Sequence, residues 1–334
     1  MTLGQPFYTT DLGEAHVGDS LHLLDFIEPG TIDLVITSPP FALQREKSYG
    51  NVDQSVYVDW LFAFCEKVHR VLAPHGSFVL DLGGAYQKGR PVRSLYNYRI
   101  LIRLCDDLHF RLAEEFFWYN PAKLPSPIEW VNKRKVRAKD SVNTVWWLSK
   151  EDFPKADISR VLVPYSERMK KLQKDPAAYY TPKLRPSGHA IGKGFATDNG
   201  GAIPSNLLQI PNTESNSQYI QFCKAAGISA HPARFPQKLP TFFIEFLTDP
   251  GDIVLDIFAG SNTTGAAAEA LGRRWVAFEQ DASYIAASAF RFIDKEQPVD
   301  TVHTLYQDLL TATKTAYLQR TTQRMMFDDH IAYD

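Results

Sequence analysis

The chain predicts an α/β fold built on an open sheet with parallel strands, and three stretches carry that prediction. Asp33-Leu34-Val35-Ile36-Thr37 and Ser77-Phe78-Val79-Leu80-Asp81-Leu82 are short and apolar, as strands covered on both faces must be. A segment at about 55–72 separates them, with Val58, Leu61, Phe62, Phe64, Cys65, Val68 and Leu72 on one side of a helix. The third stretch reads as a βαβ unit. Strand Ile253–Phe258 leads through the small-residue turn Ala259-Gly260-Ser261-Asn262-Thr263-Thr264-Gly265 into a helix at 264–271. Strand Trp275–Phe278 follows, closed by Glu279.

Taken in order, residues 1–14 read as an irregular lead-in. Ala15-His16-Val17 is a short strand stopped at Gly18-Asp19-Ser20, and Leu21, Leu24 and Ile27 mark a brief helix. Asp19 either caps that helix or faces a ligand from a strand end. The strand at 33–37 runs into Ser38-Pro39-Pro40-Phe41. Two prolines must stop it and turn the chain rigidly at the sheet edge where open α/β folds bind ligands. That loop offers a hydroxyl, carbonyls that only accept hydrogen bonds, and one aromatic face, which suits a flat substrate bearing an amino group.

A polar stretch at 42–54 resembles a loop over a site. Asp81 lies at the end of the second strand, where a carboxylate is costly unless a loop N–H satisfies it or it has a function. A helix is expected at 95–109, strands at 110–119 and 144–148, and little periodicity from 150 to 230. An amphipathic helix follows at 237–248. After a helix at 282–295, the tail from 300 is polar and helix-prone, with no chemistry.

The turn at 259–265 lacks the Gly-Lys-Ser/Thr of a P-loop and the G-x-G-x-x-G spacing for a pyrophosphate. It favours a mononucleoside ligand without phosphates, with Glu279 placed for a ribose diol. Among 334 residues, hydrophobics make up 44%, and no apolar run reaches the roughly 18 residues of a membrane span. The N-terminus carries no signal core. Three cysteines without a CxxC spacing argue against disulfides and a zinc site, so no metal and a cytoplasmic location are expected. Charge is uneven: residues 119–194 hold 16 Lys and Arg against 7 Asp and Glu in a chain of net charge −2. Such a segment meets a polyanion or is a solvated insertion.

A nucleoside-cofactor turn and an amine-accepting loop fit S-adenosylmethionine and a nucleobase amino group. Over nearly its whole length the chain resembles the DNA amino-methyltransferases of restriction–modification systems, in particular those acting on cytosine N4. The resemblance includes Trp118-Tyr119-Asn120-Pro121, the stretch Asn143–Lys150, Arg185-Pro186-Ser187-Gly188-His189 and Asn212-Thr213-Glu214-Ser215-Asn216-Ser217.

It implies a permuted S-adenosylmethionine-dependent methyltransferase fold, with a mixed, mostly parallel, seven-stranded sheet and an inserted target-recognition region. The expected organisation is a catalytic half at 1–119, recognition at 120–230, a cofactor half at 231–300 and a helical tail at 301–334. Ser38, Pro39, Pro40 and Phe41, with Asp81, are then catalytic; serine in place of Asp or Asn, and Phe in place of Tyr, point to cytosine. Cofactor contacts fall on Asp19, Thr37, His231, Phe235, Asp256, Phe258, Gly260, Ser261, Asn262, Thr263 and Glu279. One departure is Asn262, where the family's loop often has glycine.

Lys123, Lys133, Arg134, Lys135, Arg137, Arg185 and His189 are the candidate contacts to double-stranded DNA, bound by a monomer or weak dimer. The target base would be flipped out of the duplex, and the match through the insert implies the site CAGCTG, with its inner cytosine modified. A cytosine-C5 enzyme is excluded, since none of the three cysteines follows a proline. An adenine-N6 or RNA base methyltransferase of the same fold, or a silent specificity subunit, are the alternatives.

Overall fold

The computed structural model describes residues 3–42, 53–176, 196–213, 217–311 and 314–319. Among them a ten-stranded sheet has the order β10-β1-β2-β9-β8-β3-β4-β6-β5-β7. In chain order the strands are β1 (Tyr8–Thr9), β2 (Gly13–Val17), β3 (Ile32–Thr37), β4 (Leu72–Leu82) and β5 (Arg111–Tyr119). Then come β6 (Val142–Ser149), β7 (Leu207–Gln209), β8 (Ile253–Asp256), β9 (Arg274–Glu279) and β10 (Ala316–Tyr317). The expected seven-stranded sheet is its centre, β2 to β5 in spatial order. Strands of two or three residues extend both edges.

From β2 to β4 every neighbouring pair is parallel, whereas β6 runs antiparallel to both β4 and β5. The late strands β8 and β9 are wedged between β2 and β3, which is the permutation the resemblance implied. The strand order reverses between β8 and β3, so the crevice expected in such sheets opens there.

Both faces are covered, and this explains the unbroken apolar runs. Consecutive residues of β6 show it, because successive side chains point to opposite faces. Trp146 joins the core beneath the helices Tyr57–Val71 and Tyr96–Asp106. Trp147 packs edge-on, at 5.1 Å, against Phe246 of the helix Lys238–Leu247 on the other face.

Several elements differ from expectation for local reasons. The lead-in holds β1, whose two residues are too few to show a period; Tyr8 is fully buried beside Trp275 and Phe292. Strand β4 begins at Leu72, and a register shift opposite Ile32 and Leu34 takes up Pro74, which has no N–H for a ladder. Strand β8 ends at Asp256, whose carboxylate captures the Phe258 N–H at 3.1 Å and turns the chain. The helix expected to 295 is α-helical only over Ala282–Ser288, then a 3-10 turn to Arg291. The tail supplies the helix Val299–Thr311, whose Val302 enters a second core with Tyr219, Phe222 and Phe290.

Contacts divide the chain into two compact units. The sheet, with residues Met1–Ala156 and Asn206–Arg324, makes one; the other includes Asp157–Ser205. Of the stretch 120–230, β6 and β7 therefore belong to the sheet. The smaller unit holds a 3-10 turn Ile158–Val161, the helix Glu167–Lys174 and a bridge between Val163 and Ala202.

Candidate active site

Parallel pairing puts the carboxyl ends of β2, β9, β8, β3 and β4 on one edge. A cavity of about 1640 Å³ opens there, lined by Asp19, Ser38 to Phe41, Asp81, Phe258 to Ser261 and Glu279, among others. It exceeds the roughly 300–1,000 Å³ of a small-molecule pocket, as room for a cofactor and a second ligand requires.

The loop at the end of β3 is braced by two buried tyrosines. Tyr57 Oη donates to the Pro40 carbonyl at 2.7 Å, and Tyr96, edge-on to Tyr57 at 4.9 Å, donates to the carbonyl of Gly83 past the end of β4. Gly83 has no room for a side chain, since a Cβ there would stand 2.5 Å from the Phe41 ring. Phe41 is thereby seated against the end of β4.

Ser38 Oγ donates to Asp81 Oδ2 at 3.0 Å, and Asn143 Nδ2 donates to Oδ1 at 3.1 Å. Burial pushes the Asp81 carboxyl up to about 6, against the pull of these two bonds and of the Lys123 charge. With its proton on Asp81, Ser38 turns its lone pairs away from the carboxylate.

On the cofactor side, the turn after β8 is held from several directions. Gly260 has φ +51°, and a Cβ there would meet the His231 ring at 3.0 Å, so glycine is required twice over. Glu279 Oε2 accepts from Gly260 N at 2.8 Å and Oε1 from Asp281 N at 3.0 Å, with Gln280 N–H a third donor, and the carboxylate retains acceptor capacity for one further donor. Burial raises its carboxyl above the ordinary range. Asn262 is left-handed at φ 50°, a conformation asparagine tolerates, and its Oδ1 caps the helix Thr263–Ala270 through Gly265 N at 3.0 Å. The departure from glycine thus keeps the backbone geometry.

Asp19 caps the helix Ser20–Leu23 through Leu21 N at 2.9 Å and also lines the cavity. Burial lowers the His231 imidazole to about 4. Its Nδ1 lies 2.7 Å from the Ala233 carbonyl and its ring is edge-on to Tyr284. Phe235 and Thr263 also line the cavity.

Thr37, Asp256 and Asn262 stand outside that lining. Thr37 Oγ1 and Thr264 Oγ1 donate to the two oxygens of buried Asp256, at 2.7 and 2.6 Å, pinning β3, β8 and the following helix together at the reversal. Lys123 and Lys133 stand at the cavity with Pro127, Ile128 and Trp130. Lys133 and Arg134 pair with Glu129, Lys135 is exposed, and Arg137 donates to the Pro91 carbonyl. Arg185 and His189 lie outside the described residues.

Sequence reasoning missed Trp60 and Phe64, whose rings meet Phe258 at 5.7 and 5.0 Å in the cavity wall. It also missed Asn143 and the brace behind the cofactor turn. There Arg291 donates to the Ser261 carbonyl at 2.7 Å and to its hydroxyl at 3.1 Å, with its guanidinium 4.7 Å from the Tyr219 ring. Among the described residues no helix is long and apolar enough to cross a membrane, and no cluster could hold a metal ion.

Comparison with known proteins bears on the family and the fold. Residues 32–290 match a family model described as DNA methylase, covering the N6 and N4 enzymes. The type II methyltransferase M.PvuII of Proteus hauseri is 60% identical over 306 residues, spanning 92% of this chain and 91% of that one. M.BamHI of Bacillus amyloliquefaciens is 26% identical over 88% of this chain and 60% of its own. The solved PvuII DNA methyltransferase (cytosine-N4-specific) superposes with a TM-score of 0.78 and 50% identity, covering 94% of this chain and 99% of that one. The Thermus thermophilus protein TTHA0409, solved with S-adenosyl-L-methionine, reaches a TM-score of 0.52 at 19% identity, over 92% of this chain and 99% of that one, and shares the fold. By the extent of these matches, the chain belongs to the N6/N4 DNA methylase family.

Proposed function

We propose that this protein is a site-specific DNA methyltransferase of a type II restriction–modification system, acting on the exocyclic N4 of a flipped-out cytosine in double-stranded DNA. The observation that carries the reading is the Ser38–Asp81 pair in the cavity that also holds the cofactor turn. S-adenosylmethionine, when bound, supplies an electrophilic methyl group. The residues fit it: Gly260 keeps the turn bare of side chain, Glu279 retains acceptors for a ribose diol, and Asp19 lines the same cavity.

The cytosine N4 lone pair is delocalised into its ring and must be drawn out. Ser38 Oγ and the Pro39 carbonyl accept the amino protons, turning the lone pair toward the methyl donor, and Phe41 stacks on the base. Asp81, ionised above about pH 6, takes up the proton that N4 loses, through Ser38. Positioning of this kind supplies most of the rate. Unstacking the base costs a few kcal/mol.

Residues 120–230 are assigned to target recognition, with Lys123, Lys133, Arg134, Lys135, Arg137, Arg185 and His189 as the basic contacts. The target assigned to them is CAGCTG, methylated at the inner cytosine; 60% identity to M.PvuII, running through the insert, supports it. The test is plasmid DNA modified by this protein, digested to nucleosides and mapped. N4-methylcytosine and resistance to a nuclease cutting CAGCTG are expected. N6-methyladenine would overturn the chemistry; N4-methylcytosine elsewhere would overturn only the target.

A further inference from the structure

Leu124 is 81% exposed at the rim of this cavity, which Lys123, Ser126, Pro127 and Ile128 on either side of it help to line. Single exposed apolar residues are ordinary; what sets this one apart is how firmly its loop is held. Lys123 N donates to Asn120 O at 3.2 Å, and Lys139 Nζ donates to the carbonyls of Pro121 and Lys123 at 3.1 and 3.3 Å. Beyond Leu124, Asp140 N donates to the Ser126 carbonyl at 2.9 Å, and Pro125 and Pro127 restrict the backbone between. The leucine is thus presented to solvent on a braced support, with the cations Lys123, Lys133 and Arg134 nearby in the chain and Ile128, 58% exposed, four residues on.

We infer that Leu124 enters the base stack of the target duplex at the position the cytosine vacates. The inference rests on the methyltransferase reading, which requires the base to leave the helix and reach Ser38. Its departure leaves an apolar gap between neighbouring bases and an unpaired guanine. An aliphatic wedge fills such a gap and slows the base's return. Lys123 and Lys133, which line the same cavity, hold the flanking phosphates while the wedge is seated. Leu124 touches none of the reacting groups; it is a positioning residue, acting on the balance between stacked and extruded cytosine.

The test compares two duplexes that differ only opposite the target cytosine, one with its guanine and one with an abasic site there. A cytosine without a pairing partner leaves the stack at much lower cost. Leu124→Ala should lose roughly ten- to hundredfold in kcat/KM on the paired duplex and less than about threefold on the abasic one. Leu124→Met, of similar bulk, should restore most of the loss, and cofactor affinity should not change. An equal loss on both duplexes, or none on the paired one, would overturn the wedge. A wild-type protein that leaves no N4-methylcytosine on either duplex would instead overturn the methyltransferase reading.

Discussion

The proposed mechanism concentrates its proton chemistry in one buried carboxyl group, Asp81. It is 4% exposed, and the side chains that donate to it, Ser38 and Asn143, are neutral, so desolvation dominates and its pKa rises from 3.8 to about 6. The effects on rate and on stability have opposite signs. For methylation the carboxylate is the competent form, so the rate should fall as pH drops through about 6. Asp81→Asn should flatten that limb and lower the single-turnover rate at pH 8 by roughly 10²–10⁴. For stability, the folded state holds its proton more tightly than the unfolded state. This contribution is therefore fully present below pH 3.8 and lost as pH rises past 6. Asp81→Asn should thus be more stable than wild type at pH 8, by at most about 3 kcal/mol. An amide N–H facing the Ser38 or Asn143 donor reduces that gain, and the advantage should vanish toward pH 4. A wild-type acid limb in Asp81→Asn would remove this residue from proton transfer.

Among elements, the turn between β8 and the helix Thr263–Ala270 is shaped by its local chemistry. Gly260 and Asn262 take positive φ, and Gly265 has no space for a Cβ, which would lie 2.3 Å from Asn262 Oδ1. The turn is thus narrow, and Glu279 at the end of β9 reaches across to its backbone. Glu279→Ala should weaken S-adenosylmethionine binding roughly tenfold to a hundredfold, the loss of hydrogen bonds to a charged acceptor. It should leave turnover at saturating cofactor much less affected, since the ribose is remote from the methyl group. Calorimetry giving wild-type affinity would show that this turn holds something else.

Across the molecule, charge is sorted along the chain, and the structure shows that the basic residues are not equivalent. Lys133 and Arg134 share Glu129 in exposed pairs, which cost little to break and re-form on a phosphate. Arg137 directs its guanidinium to the carbonyls of Pro91 and Val136. Arg134→Ala should therefore make the slope of log affinity against log salt shallower by roughly 0.9, the value for one lost phosphate contact, without changing the methylated sequence. Arg137→Ala should lower thermal stability with a smaller change in slope. A blurred recognition site in Arg134→Ala would instead make that arginine a base reader.

What the sequence determined by itself was whatever leaves a local pattern. Strands buried on both faces write continuous apolar runs, two prolines end a strand, and small residues with an acid at the next strand's end mark a βαβ turn; the placement of Ser38, Gly260 and Glu279 at the sheet edge was legible for these reasons. Only the tertiary structure decided which strand lies beside which, and with that the partners of each side chain. Asn143 reaches Asp81 across 62 residues because β6 runs antiparallel to β4, bringing its start beside the other's end. Thr37 and Asp256, both expected at the cofactor, meet across 219 residues and bond to each other outside the cavity lining. Tyr57 and Tyr96 look like ordinary core aromatics until packing aims their hydroxyls at the Pro40 and Gly83 carbonyls. Such contacts have no period and no turn signature, because they are fixed by strand order and by the cost of leaving a buried polar group unpaired.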